Sequence, residues 1–496
     1  MCAGWKEIRP VVDPMLDFIF LNGHKNYYNQ ETMIPMKDCA VSPNASSVFP
    51  WLMALILAAG EGFAGEKRGS ESFLLPASIS PNAIASSPME VPAPPVEELV
   101  REALANNPSV AVMASRMAAA VEMAVPEGAL PDPMVEFELT DVNFPRLTVG
   151  DEEMSMAGVR ISQGVPFPGK LKARRDAARA AVPVRAAEFE EVRRRLVSQV
   201  RMVYARLYAI DRELQALELG RELLEMLTAT VSMRYSAGES EQEALIKAQL
   251  QLSRLSERQI DLEAARRAQN AALNHLLGRD EPMTIGRVDQ LPASSLPETP
   301  WAAEALGNAA EIRIKENQVT AAERQVEAAR ADLNPDFTVG VGVFSRGGFD
   351  QIVTLQVGIE LPLWKNHKQE PRMRAAEREL DMARHEMRES EIATRSAIER
   401  LAAEWARADR QIQLYTEAII PQTSAALDAA RSSYLVGRGD FSTVIEDFNL
   451  WLEARVEQGR REAERFITWA EIEYLIRPAP AAQDGELRFL NGETRP

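Results

Sequence analysis

The sequence predicts a mainly α-helical protein with a small membrane β component, built as a helix–strand–strand–long helix–helix unit that occurs twice. Three observations carry this. Two charged helical runs, about 170–238 and 368–437, are too long for a compact domain, since at 1.5 Å per residue the first extends roughly 100 Å. Each run follows a pair of alternating strands that end at prolines. Each run also closes in a Tyr-x-x-Gly turn; Tyr235 and Tyr434, which open these turns, lie 199 positions apart.

Composition narrows the function classes. The chain has 496 residues and a net charge of −17, which opposes a nucleic-acid partner. Aromatic residues make up only 6%, and Ala, Glu, Arg and Leu dominate from Glu97 onward, favouring long helices over a round core. Phe49–Ala59 is an apolar run too short for a stable membrane helix but suited to a signal peptide, with small residues at Gly62-Phe63-Ala64. Residues 1–64 are therefore expected to be a leader with a start placed too early plus a signal peptide cleaved after Ala64. Cys2 and Cys39 both precede that point, so no disulfide or cysteine-based metal site is expected in the mature chain.

Residues 65–95, rich in Ser, Pro and Ala, read as an extended segment. The first unit, 96–278, opens with a helix over 96–125 that Asn106-Asn107-Pro108 breaks. In Met134–Thr140, Val135, Phe137 and Leu139 face one way and Glu136 and Glu138 the other. A second strand, 156–167, sets Val159, Ile161 and Val165 against Arg160 and Ser162 and ends at prolines. The long helix follows, with a kink expected at Pro183. Its stripe Val200, Val203 and Leu207 packs while Arg201 and Arg206 are solvated. A return helix over 241–277 is capped by Gly278. A proline-rich connector, 279–300, leads to the second unit, 301–477. That unit repeats the order with a helix over 301–333, strands over 337–344 and 352–361, a rod over 368–437 and a return helix over 441–476. The tail, 478–496, is expected to be disordered.

The strands are long enough to cross a bilayer when tilted, and each has one apolar face. Four strands leave two open edges, which hydrocarbon forbids. Three copies would supply twelve strands and close a barrel. The rods carry Arg, Glu and Asp throughout, so they stand in water and pack side by side.

The repeat, the Ala-Leu-x-Asn-Asn-Pro opening at 103–108, the proline-ended strands and the Tyr-x-x-Gly turns together resemble the TolC family of outer-membrane efflux proteins over about 96–477. Gly164–Lys170 and Gly358–Trp364 look most like its heavy-metal cation-efflux branch, of CzcC and CusC type. The resemblance implies a homotrimeric, twelve-stranded outer-membrane β-barrel continuous with a periplasmic α-helical barrel. It implies a passive duct for metal cations, set among outer-membrane lipid and served by a periplasmic adaptor and an inner-membrane resistance-nodulation-division pump. It also implies that the two turns form the tip where adaptors dock, here Gly238, Glu239, Val436 and Gly437. Family members often carry an Arg two places after the second Gly; here Gly439 stands there, with Arg438 one step earlier. Selectivity carboxylates six and nine places after that Gly fall on Thr443 and Glu446. The gate candidates are therefore Glu446, Asp447, Arg438 and Asp440, with a solvated helix charge the alternative for Glu446. Tyr235 and Tyr434 read as packing residues under the turns.

No enzyme constellation, cofactor or resident metal is expected. Met113 and Met117 are spaced like core residues, and His275, His367 and His385 lack metal-ligand spacing. A duct for drugs, organic toxins or type I polypeptide export, and a periplasmic coiled-coil scaffold or adaptor, are the alternative functions.

Overall fold

The computed structural model describes residues 92–478 and 480, apart from 143, 144, 146, 147, 239, 240 and 297–300. The leader, the signal peptide, most of the extended segment, Glu239 and most of the tail lie outside these residues. The described chain runs α1 (Val96–Asn106), α2 (Pro108–Met123), β1 (Met134–Thr140), β2 (Met156–Val165), α3 (Lys170–Ser236) and α4 (Gln242–Leu277). It continues through α5 (Trp301–Asn308), α6 (Ala310–Ala331), β3 (Asp336–Arg346), β4 (Phe349–Glu360), α7 (Gln369–Leu414), α8 (Ile420–Leu435) and α9 (Phe441–Ile476). The duplicated unit is thus present, element for element.

The strands form one antiparallel sheet in the order β1-β2-β3-β4. Four helices join it end to end. The chain passes from α2 to β1, from β2 to α3, from α6 to β3 and from β4 to α7. Packing of α2 on α3, α3 on α6 and α6 on α7 gives the helices the same lateral order as the strands they join. Sheet and helical row are one continuous wall.

Its seam is held by ions. Lys170, at the start of α3, is buried, and its Nζ donates to both carboxylate oxygens of Asp336 (2.8 and 2.9 Å) and to the Asn334 carbonyl (3.1 Å). Arg174 donates to Asp332 at 2.8 Å. The Gly-Lys that ends the first proline motif therefore clamps the α6–β3 corner of the second unit.

Below the wall, two cores knit the units together. At mid-height Val200, Val203 and Leu207 of α3 pack with α1, the end of α4, the connector and Phe466 of α9. Further down, Leu217, Leu224 and Val231 of α3 meet Phe448, Leu452 and Val456 of α9. Asp211 and Arg266 form a buried pair at 2.6 Å. Asp211 also accepts the Val288 N–H (2.9 Å), and Arg266 donates to the Gly286 carbonyl (2.8 Å), fixing the connector.

Several expectations need correction. The helix foreseen over 301–333 is two helices, parted at Ala309, whose ψ of 123° is extended. The second rod is not continuous, because Tyr415–Ile419 forms a π turn in which the Ile420 N–H reaches back five residues to the Tyr415 carbonyl. Pro421 explains it. Proline has no N–H for the Glu417 carbonyl and its ring crowds that group, so the backbone takes a wider turn. Pro183 does not break α3, and its carbonyl accepts from Asn317 (3.2 Å). Arg201 is not fully solvated; it lies half-buried over the Trp469 ring, 4.8 Å from its centre. Tyr434 is buried as expected, whereas Tyr235 is exposed. The stretch Pro108–Gly128 is long and apolar enough to cross a bilayer by composition, a property the sequence reading overlooked. Its place at the edge of the helical row accounts for its apolar, exposed side.

Candidate functional sites: the wall and the helical tips

The sheet has two chemically distinct faces, fixed by register. Val135 lies opposite Ile161, Ile161 opposite Val341, and Val341 opposite Leu355. A second row runs Phe137, Val159, Val343 and Val353. These side chains are exposed, Phe137 at 84% and Leu355 at 78%. A band of this kind facing outward across every strand is the pattern of a lipid-facing barrel surface.

The other face is polar and partly filled. Arg160 pairs with Glu138 (2.7 Å) and lies 3.8 Å from Glu136. Its guanidinium sits 5.7 Å from the centre of the Phe344 ring. Phe344 is 1% exposed because it lies flat over Gly158 and Gly342. A Cβ on Gly342 would come within 2.5 Å of that ring. Glycine here makes room for an aromatic inside the wall, a contact that strand alternation alone does not disclose.

At the far end of the rods the two turns are built alike. Gly238 and Gly437 take φ values of 75° and 74°, the left-handed region that suits glycine. The Gly238 N–H donates to Tyr235 O and the Gly437 N–H to Tyr434 O, both at 3.0 Å. Val436 projects from the second turn, 68% exposed. Glu239 lies outside the described residues.

The four gate candidates are not one cluster. Asp440 is the N-cap of α9, its Oδ1 accepting from the Ser442 N–H (3.3 Å), a structural use of the carboxylate. Arg438 is exposed, and its N–H closes the turn on Ser433 O (2.9 Å). Glu446 is exposed on α9, and Asp447 beside it is half-buried. Lys247 of α4 donates to Ser442 (2.8 Å) and pairs with Glu243 (2.7 Å). Its hydrogen bond to Glu243 raises the ammonium above its ordinary range against the pull of desolvation, and Asp440 and Glu446 add to the rise. Glu446 therefore already has a cation within electrostatic reach.

The residue that joins the two tips was missed by sequence reasoning. Arg234, in the last turn of α3, donates to the Tyr434 carbonyl and lies over the Tyr434 ring, 5.0 Å from its centre. Arg234 of the first unit thus ties the turn of the second. Its one sequence signal was a basic residue in the last helical turn, where it suits the helix dipole.

A half-sheet with a lipid-type face that runs unbroken into a single row of helices is one sector of an outer-membrane channel wall. The model of the outer membrane efflux protein family matches residues 99–279 and 301–476, and the chain belongs to that family of TolC-like channels. The Pyoverdine export outer membrane protein OpmQ of Pseudomonas putida is 26% identical over 396 residues, spanning 74% of this chain and 82% of the relative. The structure of CusC superposes with a TM-score of 0.67 at 18% identity, covering 77% of this chain and 92% of that one. The outer membrane protein VceC of Vibrio cholerae gives 0.65 at 18%, covering 78% and 97%. The protein is thus an outer-membrane efflux channel component whose helices extend into the periplasm.

Proposed function

We propose that three copies assemble into a twelve-stranded barrel above a helical tunnel, forming the passive exit duct of a three-part efflux system. One observation carries this reading. β1 and β4 are open edges of a sheet with an exposed apolar band, and unpaired strand edges are not tolerated in hydrocarbon. Neighbouring copies supply the missing partners. A periplasmic adaptor engages the tips at Gly238, Glu239, Val436 and Gly437, and an inner-membrane resistance-nodulation-division pump supplies the energy. The wall itself does no chemistry.

Glu446 and Asp447 are the selectivity carboxylates in this reading, brought near the axis by trimer formation. The cargo is metal cations, as the resemblance of the proline motifs to the cation-efflux branch suggests. A second cargo, an organic metal chelator, is favoured by the relative named for pyoverdine export. The assembly is tested by native mass measurement of the detergent-extracted protein, where a monomer would exclude the duct. Cargo is tested in a deletion strain. Sensitivity to a metal panel supports cations, and loss of secreted chelator with normal metal tolerance supports the second reading.

A further inference from the structure

Midway down the rods, where α3 passes α9, a small cavity of about 180 Å³ is lined by Arg194, Arg201, Arg477, Glu473, Tyr474 and Ser198. Three guanidiniums face one carboxyl. That carboxyl is already used, since Glu473 pairs with Arg477 at 3.3 Å. Arg194 spends Nε on Glu190 (3.2 Å) and Nη1 on the Asn308 carbonyl (2.8 Å). The Ser198 hydroxyl donates to Ala470 O and the Tyr474 hydroxyl to Glu191.

Arg201 is the anomaly. It has no carboxylate within 4.0 Å and no hydrogen-bond partner among the described residues, and its buried Nε is orphaned. Its one partner is the face of Trp469. Burial pulls its pKa down, Glu473 and Glu97 offset this in part, and Arg477 adds repulsion. A half-buried guanidinium whose charge is only partly offset is costly, and three guanidiniums against one carboxyl on a small cavity add to the cost. Guanidinium groups match planar and tetrahedral oxyanions through paired N–H donors.

We propose that this cavity is a binding site for one small oxyanion, which bridges α3 of the first unit to α9 of the second. Its volume is ample for a single phosphate or carboxylate group. Two sources share that chemistry. One is free phosphate. The other is a carboxylate of the chain's own tail, because Pro478 and Pro480 also line the cavity and Asp484 and Glu486 follow within six residues. The inference is independent of the duct reading.

The test is thermal unfolding of the full chain in detergent, in sodium phosphate against sodium chloride at matched ionic strength. Arg201→Met keeps the stem over Trp469 and removes the charge, so it also subtracts the general stabilising effect of phosphate. If free phosphate fills the site, the wild type shows a saturable rise of a few degrees in Tm that Arg201→Met abolishes. If the tail fills it, the wild type is indifferent, whereas D484N/E486Q is less stable and gains the phosphate response. Should Arg201→Met fail to fold, Arg477→Gln serves in its place. A cavity that holds only water gives no phosphate dependence removed by these variants, in either the wild type or D484N/E486Q, and that result overturns the proposal.

Discussion

At the scale of single residues, buried charge sets the sharpest expectations. Asp211 and Arg266 are almost wholly enclosed. Asp211→Ala strands the guanidinium and should cost about 3–5 kcal/mol, whereas D211L/R266L should recover most of it; denaturant unfolding of the two variants checks this. Glu473 behaves in the opposite sense. Burial pushes its carboxyl above the ordinary range, Arg477 and Arg201 pull it back in part, and Glu304 pushes it further up. A folded-state pKa raised above the unfolded value means stability is fully present below the unfolded pKa and declines as pH rises through the folded one. Glu473→Gln should therefore flatten that decline, raising Tm at pH 7 relative to the wild type more than at pH 4. A Tm difference independent of pH would contradict the assignment. Gly342→Ala should block wall formation through the Phe344 ring, and the G342A/F344L pair should restore heat-modifiable oligomers on gels.

At the scale of elements, the asymmetry between the two rods is the main finding. α3 is uninterrupted, while its counterpart splits at the π turn ahead of Pro421. Pro421→Ala restores the missing donor and should convert Tyr415–Ile419 to regular helix. Hydrogen exchange at residues 416–420 should slow several-fold, with no change in α9. α8 buries only Leu427 and Tyr434, so its lower end leans on the Arg234 contact. Arg234→Ala should speed exchange over 428–437 and leave 441–456 protected. These elements also mark the limit of what was legible. The Asn107 break could be read because Asn107 accepts the Ser109 N–H beside a proline at N1. The break at Ala309 could not, because alanine is a strong helix former and the local signal is absent. There Arg194 of a distant helix holds the Asn308 carbonyl, so tertiary contact outweighs propensity. Pro421 was visible in the sequence, yet a proline inside a long helix predicts a kink or a π turn equally well.

At the scale of the whole molecule, period-two alternation gave the two faces of β1, β2 and β4 but did not place Phe344 of β3 on the inner one, and the internal repeat gave the order of elements. The candidate site was less legible. Turn glycines stood out by spacing, but Arg234 and Lys247 depend on which helices meet, and no local pattern states that. The exposed band makes its own prediction. Leu355→Arg places a charge on the outward face and should lower the stability of the folded barrel by about 2–4 kcal/mol if that position is near the bilayer midplane. Urea titration in lipid vesicles measures this; in a protein whose sheet met water, the change would be close to neutral.

The shared lateral order of strands and helices has a consequence for how such a conduit can change in girth. Each strand and the helix it joins act as one stave of a cask, hooped at the joint by Lys170 and Asp336. A stave cannot be added to the upper rim without being added to the lower body as well. A wider bore therefore calls for another whole strand-and-helix duplication or another subunit, and side-chain changes along the existing staves can only reline it.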